Sequence, residues 1–234
     1  MAAKFELERG GVRRYLDTVK PEEYRPEIGE VDLSELSLTG LADLYGSDKG
    51  SIKHCYTKIY EDLVEDLIYT RNSHALKIAE FGVACGASLW MWSKYLPQAS
   101  IVGFDIRPEC ANLCKELDNV GIEIADPAKC SLGTFQYDLI IDDASHIAEE
   151  IVATFNNCWS WLAPGGYYVI EDLGCTYNEA YTKQYREHFD PLAKNDRNQI
   201  ANLVNTLMVS IDQKQTAEHF MYYPQMLVIK KRGK

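Results

Sequence analysis

The sequence predicts an α/β fold: a mostly parallel sheet of seven strands, helices on both faces, and a C-terminal antiparallel hairpin. Three observations predict it. From Ala75 onward, short apolar runs alternate with stretches of helical spacing, the rhythm of a parallel sheet joined by crossover helices. The runs are almost continuously apolar, as strands covered on both faces are. The last two runs, "NTLMVSIDQ" (205–213) and "HFMYYPQMLVIKK" (219–231), have no helical stretch between them, so an antiparallel pair closes the sheet.

In chain order, residues 1–36 read as an N-terminal extension and residues 37–234 as the domain. "KPEEYRPEIGEVD" carries two prolines and many acids, the signature of an irregular connector. A helical pattern starts at Leu36, and "YGSDKGS" (45–51) breaks it with two glycines. Ile59, Leu63, Val64, Leu67 and Ile68 then mark an amphipathic helix. Strands are expected at 75–83, 100–106, 121–126, 137–142 and 167–172, with helices at 87–96, 108–117 and 147–162. "APGG" (163–166) reads as the turn before the fifth strand.

Composition narrows the function classes. The 234 residues are 46% hydrophobic and 25% charged, typical of a globular protein, and suit one large domain. Lysine and arginine number 24 against 35 acids, a net charge of -11. That balance disfavours nucleic acid or an anionic membrane as partner. No apolar run approaches the roughly 20 residues of a membrane span, and the first residues lack the apolar stretch of a signal peptide. Seven scattered cysteines without a C-x-x-C suit reduced thiols in the cytoplasm rather than a zinc site.

"EFGVACGASL" sits where the first strand meets the first crossover helix. Gly82 and Gly86 allow close backbone approach to a ligand, and the helix start offers free N–H groups. A tight strand-to-helix turn explains the glycines equally well. Asp105 ends the second strand, where an acid can accept both hydroxyls of a ribose or cap the next helix. Together the two features favour an adenosine-containing cofactor. The spacing is not G-x-G-x-x-G, which disfavours NAD, and no lysine follows as in a P-loop.

"IIDDASHI" places Asp142, Asp143 and His146 at the end of the fourth strand, and "VIED" places Glu171 and Asp172 at the end of the fifth. Ligands gather at the carboxyl ends of parallel strands. Neighbouring strands would cluster the four acids, and strand alternation would send Asp142 and Asp143 to opposite faces. Converging carboxylates without sulfur suit Mg²⁺. Each acid alone is better explained as a helix cap, and both pairs at adjacent strand ends are better explained by the metal. His146, beside such a cluster, is the candidate general base, because a neutral imidazole accepts a proton near neutral pH. The other histidines have no such neighbourhood in sequence.

These motifs carry a resemblance. "EFGVACG", the acids of "GFDI" and "IADP", and "LAPGGYYVIEDL" resemble a class I S-adenosylmethionine-dependent methyltransferase of Rossmann-like fold. The resemblance implies S-adenosylmethionine as cofactor, held by Gly82, Gly86, Asp105 and Asp126. "LADLYGSDKG…HCYTKIYEDL", "IIDDASHI" and "YYVIEDLGCTY" resemble a narrower family, the Mg²⁺-dependent sugar O-methyltransferases of natural-product biosynthesis, with partial likeness to cephalosporin-hydroxylase-like proteins. It covers 36–234 and implies Asp143, Glu171 and Asp172 as metal ligands, His146 as base, and Asp142 near the methionine end of the cofactor. Ala144 stands where the D-D-G-S-H pattern has glycine, Trp90 where a basic residue is commoner, and the glycine loop is shorter.

The expected function is therefore methyl transfer to a hydroxyl of a sugar or glycosylated natural product, in the cytoplasm, on a small-molecule acceptor, with room for a homo-oligomer. Tyr45, Ser47 and Lys49 are read either as a lid over the cofactor or as an exposed turn. A catechol-like phenol O-methyltransferase would need the same acids, and an acceptor panel separates it. A non-catalytic binding protein of the same fold would transfer no methyl group at all.

Overall fold

A computed structural model describes residues 32–131 and 135–233. Most of the expected N-terminal extension lies outside those residues. Helices α1 (Leu38–Leu44) and α2 (Thr57–Arg71) precede the sheet. The strands are β1 (Lys77–Phe81), β2 (Ser100–Asp105), β3 (Val120–Ile124), β4 (Tyr137–Asp142), β5 (Leu162–Ile170), β6 (Ala217–Tyr223) and β7 (Met226–Lys231). Helix α3 (Ala87–Tyr95) follows β1, α4 (Ala148–Cys158) follows β4, and α5 (Glu179–His188) and α6 (Asn198–Asp212) follow β5.

The sheet order is β3-β2-β1-β4-β5-β7-β6. The first five strands are parallel, and β7 pairs antiparallel with both β5 and β6. Successive strand residues face opposite sides, so each strand feeds two cores. Ile78, Leu139, Ile141, Val169 and Val228 pack with Leu63, Leu67, Leu89 and Trp92 of α2 and α3. Ala79, Ile140, Ile170, Leu227 and Ile229 pack with Ile151 and Phe155 of α4 and Leu203 and Leu207 of α6. The strand order reverses between β1 and β4, which opens a crevice at their carboxyl ends.

Three expectations are corrected. "NTLMVSIDQ" belongs to α6 and not to a strand. Leu207, Val209 and Ile211 alternate, which mimics a strand, but Ile200, Leu203, Leu207 and Ser210 are the buried residues, at helical spacing. Val209 is exposed. The hairpin lies wholly within "AEHFMYYPQMLVIKK", turning at Pro224 and Gln225. The expected helix at 108–117 is a 3-10 turn, Pro108–Asn112. Leu113 is extended and Cys114 left-handed (φ 63°), so the helix cannot continue. Residues 163–166, expected as a turn, are the opening of β5.

Candidate active site

Strand ends bring the predicted acids together. β4 pairs with β5, with Asp142 opposite Ile170, and Glu171 N–H donates to Asp142 O at 3.0 Å. Asp143 N–H donates to Phe81 O at 3.0 Å, which ties the loop after β4 to the end of β1. Gly82 explains how close these segments come. Its φ is 91°, and a Cβ there would overlap the carbonyl of Asp143. The glycine makes room for the acid loop as much as for any ligand. Gly86 (φ 85°) is the N-cap of α3, and a Cβ there would meet Cys114 Sγ at 2.9 Å.

The two aspartates face opposite sides, as strand alternation requires. Asp142 is buried and accepts from Tyr168 Oη at 3.4 Å. Burial pushes its carboxyl up to about 7. Asp143 points the other way. Its Oδ1 lies 3.8 Å from His146 Nε2, and its Oδ2 accepts from Lys49 Nζ at 2.5 Å. Asp143, His146 and Asp172 each offer one donor atom, and these atoms all lie within 4.8 Å of one another.

Sequence reasoning missed part of this site. Lys49 is 1% exposed, so the exposed turn does not describe it. Its ammonium lies 2.9 Å from Glu171 Oε2 and 3.4 Å from Glu80 Oε1, besides Asp143. Burial works against the ammonium, but Asp143, Glu171 and Glu80 outweigh it and hold the Lys49 pKa well above its usual value. Tyr60 Oη donates to Glu171 Oε1, and Tyr56 Oη donates to Asp172 Oδ1 at 2.8 Å. These tyrosines are four residues apart, one helical turn, at the start of α2. His54 stacks on Tyr56, with Nε2 3.6 Å from Asp172 Oδ1 and 3.7 Å from Asp48 Oδ2. The fold thus brings His54 to Asp48 and Asp172, a neighbourhood absent from the local sequence. Of "SDKGSIKHCYTKIY", Lys49, His54, Tyr56 and Tyr60 reach the acids at the ends of β4 and β5.

Three non-glycine residues here are left-handed: Ala84 (φ 51°), His146 (φ 52°) and Asp172 (φ 52°). Such conformations cost about 1–3 kcal/mol each and collect at functional sites.

The cofactor candidates sit beside this cluster. Asp105 closes β2 and faces the glycine loop, accepting from Val83 N–H at 3.0 Å and Ala84 N–H at 3.2 Å. Arg107 donates to both of its oxygens. Both oxygens of the carboxylate are thus engaged by the loop N–H groups and by Arg107. Asp126 follows β3, half-buried, accepting from Ala128 N–H and Lys129 Nζ. Among the described residues, no helix is long and apolar enough to cross a membrane.

Residues 79–173 match the family described as a methyltransferase domain. The rhamnosyl tetracenomycin-C 2'-O-methyltransferase of Streptomyces olivaceus is 34% identical over 63% of this chain and 40% of its own length. The mycinamicin VI 2''-O-methyltransferase of Micromonospora griseorubida is 32% identical over 62% of this chain and 37% of its own. This chain therefore spans well under half the length of these relatives. The MycE methyltransferase of the mycinamycin biosynthetic pathway, solved with Mg, SAH and mycinamycin VI, aligns over 85% of this chain and 54% of that one. The TM-score is 0.67 at 21% identity, a likeness of fold. Residues 79–173 thus match a methyltransferase domain, the fold is like that of the MycE methyltransferase, and over part of its length the chain is similar in sequence to sugar O-methyltransferases of natural-product pathways.

Proposed function

We propose that this chain is a cytoplasmic S-adenosylmethionine-dependent O-methyltransferase acting on a hydroxyl of a sugar or glycosylated natural product, with Mg²⁺ at the acid cluster. The catalytic unit is residues 37–234. The observation that carries the reading is the convergence of Asp143, Asp172 and His146 at the carboxyl ends of β4 and β5, beside the glycine loop. The relatives' acceptors, a rhamnosyl group and mycinamicin VI, support a glycoside.

The donor set fits a hard cation. Asp143 and Asp172 would hold it, whereas Glu171, the third ligand expected from the sequence, is engaged by Lys49 and Tyr60. A bound Mg²⁺ lowers the pKa of a hydroxyl that contacts it. S-adenosylmethionine, when bound, supplies a methyl group on a positively charged sulfur. Gly82, Gly86, Asp105, Asp126 and Asp142 are the proposed surroundings of that cofactor. His146 accepts the acceptor's proton at its ring nitrogen, and the Asp143 carboxylate, 3.8 Å from Nε2, favours the imidazolium that forms. The rest of catalysis is alignment of the oxygen with the methyl carbon.

A methyl-transfer assay tests this reading. Rhamnosides and macrolide glycosides are offered beside catechols, with and without EDTA. Turnover of a glycoside that EDTA abolishes and Mg²⁺ restores is the expected result. Preference for catechols, or full activity in excess EDTA, overturns the acceptor or the metal respectively.

A further inference from the structure

Lys49 has no role in the chemistry described so far, yet it is the most deeply buried cation of the site. It sits on the turn after α1, and that turn is built to hold it. Thr57 N–H donates to Lys49 O at 3.2 Å, and Ser51 donates from both N–H and Oγ to Asp43. Gly50 packs so tightly on Asp43 that a Cβ would collide with its carboxylate. From this fixed turn the ammonium reaches three carboxylates from three strand ends: Glu80, Asp143 and Glu171. Glu80 is wholly buried, and neither of its oxygens has a hydrogen bond among the described residues. Lys49 is the charge beside it.

Asp143 divides the cluster. Oδ2 is taken by the ammonium, while Oδ1 faces His146 and the open side that Asp172 shares. An inner half, Glu80 and Glu171, already has its cation. Among the described residues an outer half, Asp143 Oδ1 and Asp172, has no lysine or arginine, only His54 and His146 beside it. We infer that Lys49 is a built-in cation of the acid cluster: it replaces a metal at the inner half and, through the shared Asp143, weakens the hold of the outer half on a divalent ion.

The physical argument is electrostatic. Two positive charges that share one carboxylate repel each other, more strongly in a buried site than in water. Without Lys49 the inner carboxylates would be buried without a counter-charge, which is strongly unfavourable. Lys49 therefore permits the acids to converge before any metal arrives, and sets a ceiling on metal affinity. Lys49 is a positioning residue in this account, since it acts through Asp143 and Glu171.

The inference rests on the proposed metal reading, and one experiment separates the two. Mn²⁺ binding to the full chain is measured by calorimetry and electron paramagnetic resonance, for wild type and Lys49→Met. The wild-type titration alone judges the metal reading, and absence of binding at millimolar Mn²⁺ sinks it. The difference between the two proteins judges Lys49. Lys49→Met should bind Mn²⁺ at least about tenfold more tightly, ~1.4 kcal/mol, and its Tm should rise more on adding Mn²⁺ than that of wild type. A site gained by Lys49→Met where wild type has none supports the inference even when the metal reading fails. Equal affinity, weaker affinity, or no binding by Lys49→Met overturns it. Should Lys49→Met fail to fold alone, recovery of its circular dichroism in Mn²⁺ supports the inference, and a chain still unfolded in saturating Mn²⁺ overturns it.

Discussion

Arg107 wraps Asp105 from the far side of the glycine loop. Its Nε lies 3.0 Å from Oδ1, its Nη2 lies 3.0 Å from Oδ2, and the same Nη2 donates to Ala84 O at 3.2 Å. The arginine thus bridges the end of β2 and the loop after β1, where a nucleoside is proposed to bind. Ribose hydroxyls and the guanidinium compete for the same two oxygens. Asp105→Ala should weaken S-adenosylhomocysteine binding by about 1.5–3 kcal/mol, the range for one hydrogen bond to a charged group. Arg107→Ala should leave the affinity unchanged or improve it. Calorimetry that finds Arg107→Ala as weak as Asp105→Ala would make Arg107 a ligand contact and not a competitor.

The same carboxylate has a pH consequence. Burial alone would push Asp105 up, but hydrogen bonds from Arg107 and from the loop N–H groups prevail and hold its carboxyl below the usual range. Its folded pKa is thus lower than the unfolded value of about 3.9. The stability it contributes is complete above that unfolded value and disappears as pH falls through the lower folded one. Urea unfolding of wild type and Asp105→Asn should differ most at neutral pH, and the difference should shrink toward zero in acid. A difference that stays constant down to the acid limit would remove Asp105 ionisation from the stability of the loop.

Gly82 gives a sharper test of the packing between the glycine loop and the acids. With φ at 91° and the Asp143 carbonyl oxygen 2.2 Å from where a Cβ would stand, alanine there meets both backbone strain and a collision with backbone. Gly82→Ala should lose at least about 2 kcal/mol of stability, measured by denaturant unfolding. Gly165 also has a positive φ, 77°, but opens onto empty space. Gly165→Ala should carry only the backbone strain, about 1 kcal/mol. Equal losses at the two positions would mean that the contact with Asp143 contributes nothing.

Much of this was legible in the sequence because strand periodicity and buried apolar runs are local signals. The five strands and the opposite faces of Asp142 and Asp143 follow from local patterns, and the clustering of Asp143 with Asp172 follows once the fourth and fifth strands are neighbours, as they are. What was not legible depends on contacts distant in sequence. Lys49 meets Glu171 across 122 positions, and Tyr60 meets it across 111. No local pattern distinguishes a turn lysine that points into solvent from one that the fold buries among acids. The misread strand at 205–213 has a different cause. Its alternation of Leu207, Val209 and Ile211 is real, but the helix extends back to Asn198, and only the longer window exposes the helical spacing.

His146 provides the test that separates an enzyme from a binding protein of the same fold. Its ring is 15% exposed, beside Asp143 and 5.9 Å from the ring of Tyr181. Its backbone is left-handed, so a change of residue alters conformation as well as chemistry. Asparagine tolerates that conformation better than most residues and cannot serve as a base. His146→Asn should therefore keep its fold and its affinity for S-adenosylhomocysteine while kcat falls about 10²–10⁴-fold, the usual contribution of a general base. His146→Ala should lose as much activity and also some stability, about 1 kcal/mol for the strained backbone. Were His146 only a turn residue, the order would invert: His146→Asn would match wild type in kcat, and His146→Ala would differ only in its melting temperature. Steady-state rates with a glycoside acceptor, calorimetry with S-adenosylhomocysteine and thermal melts of the three proteins decide between these outcomes, and a His146→Asn protein that turns over at the wild-type rate removes His146 from the mechanism.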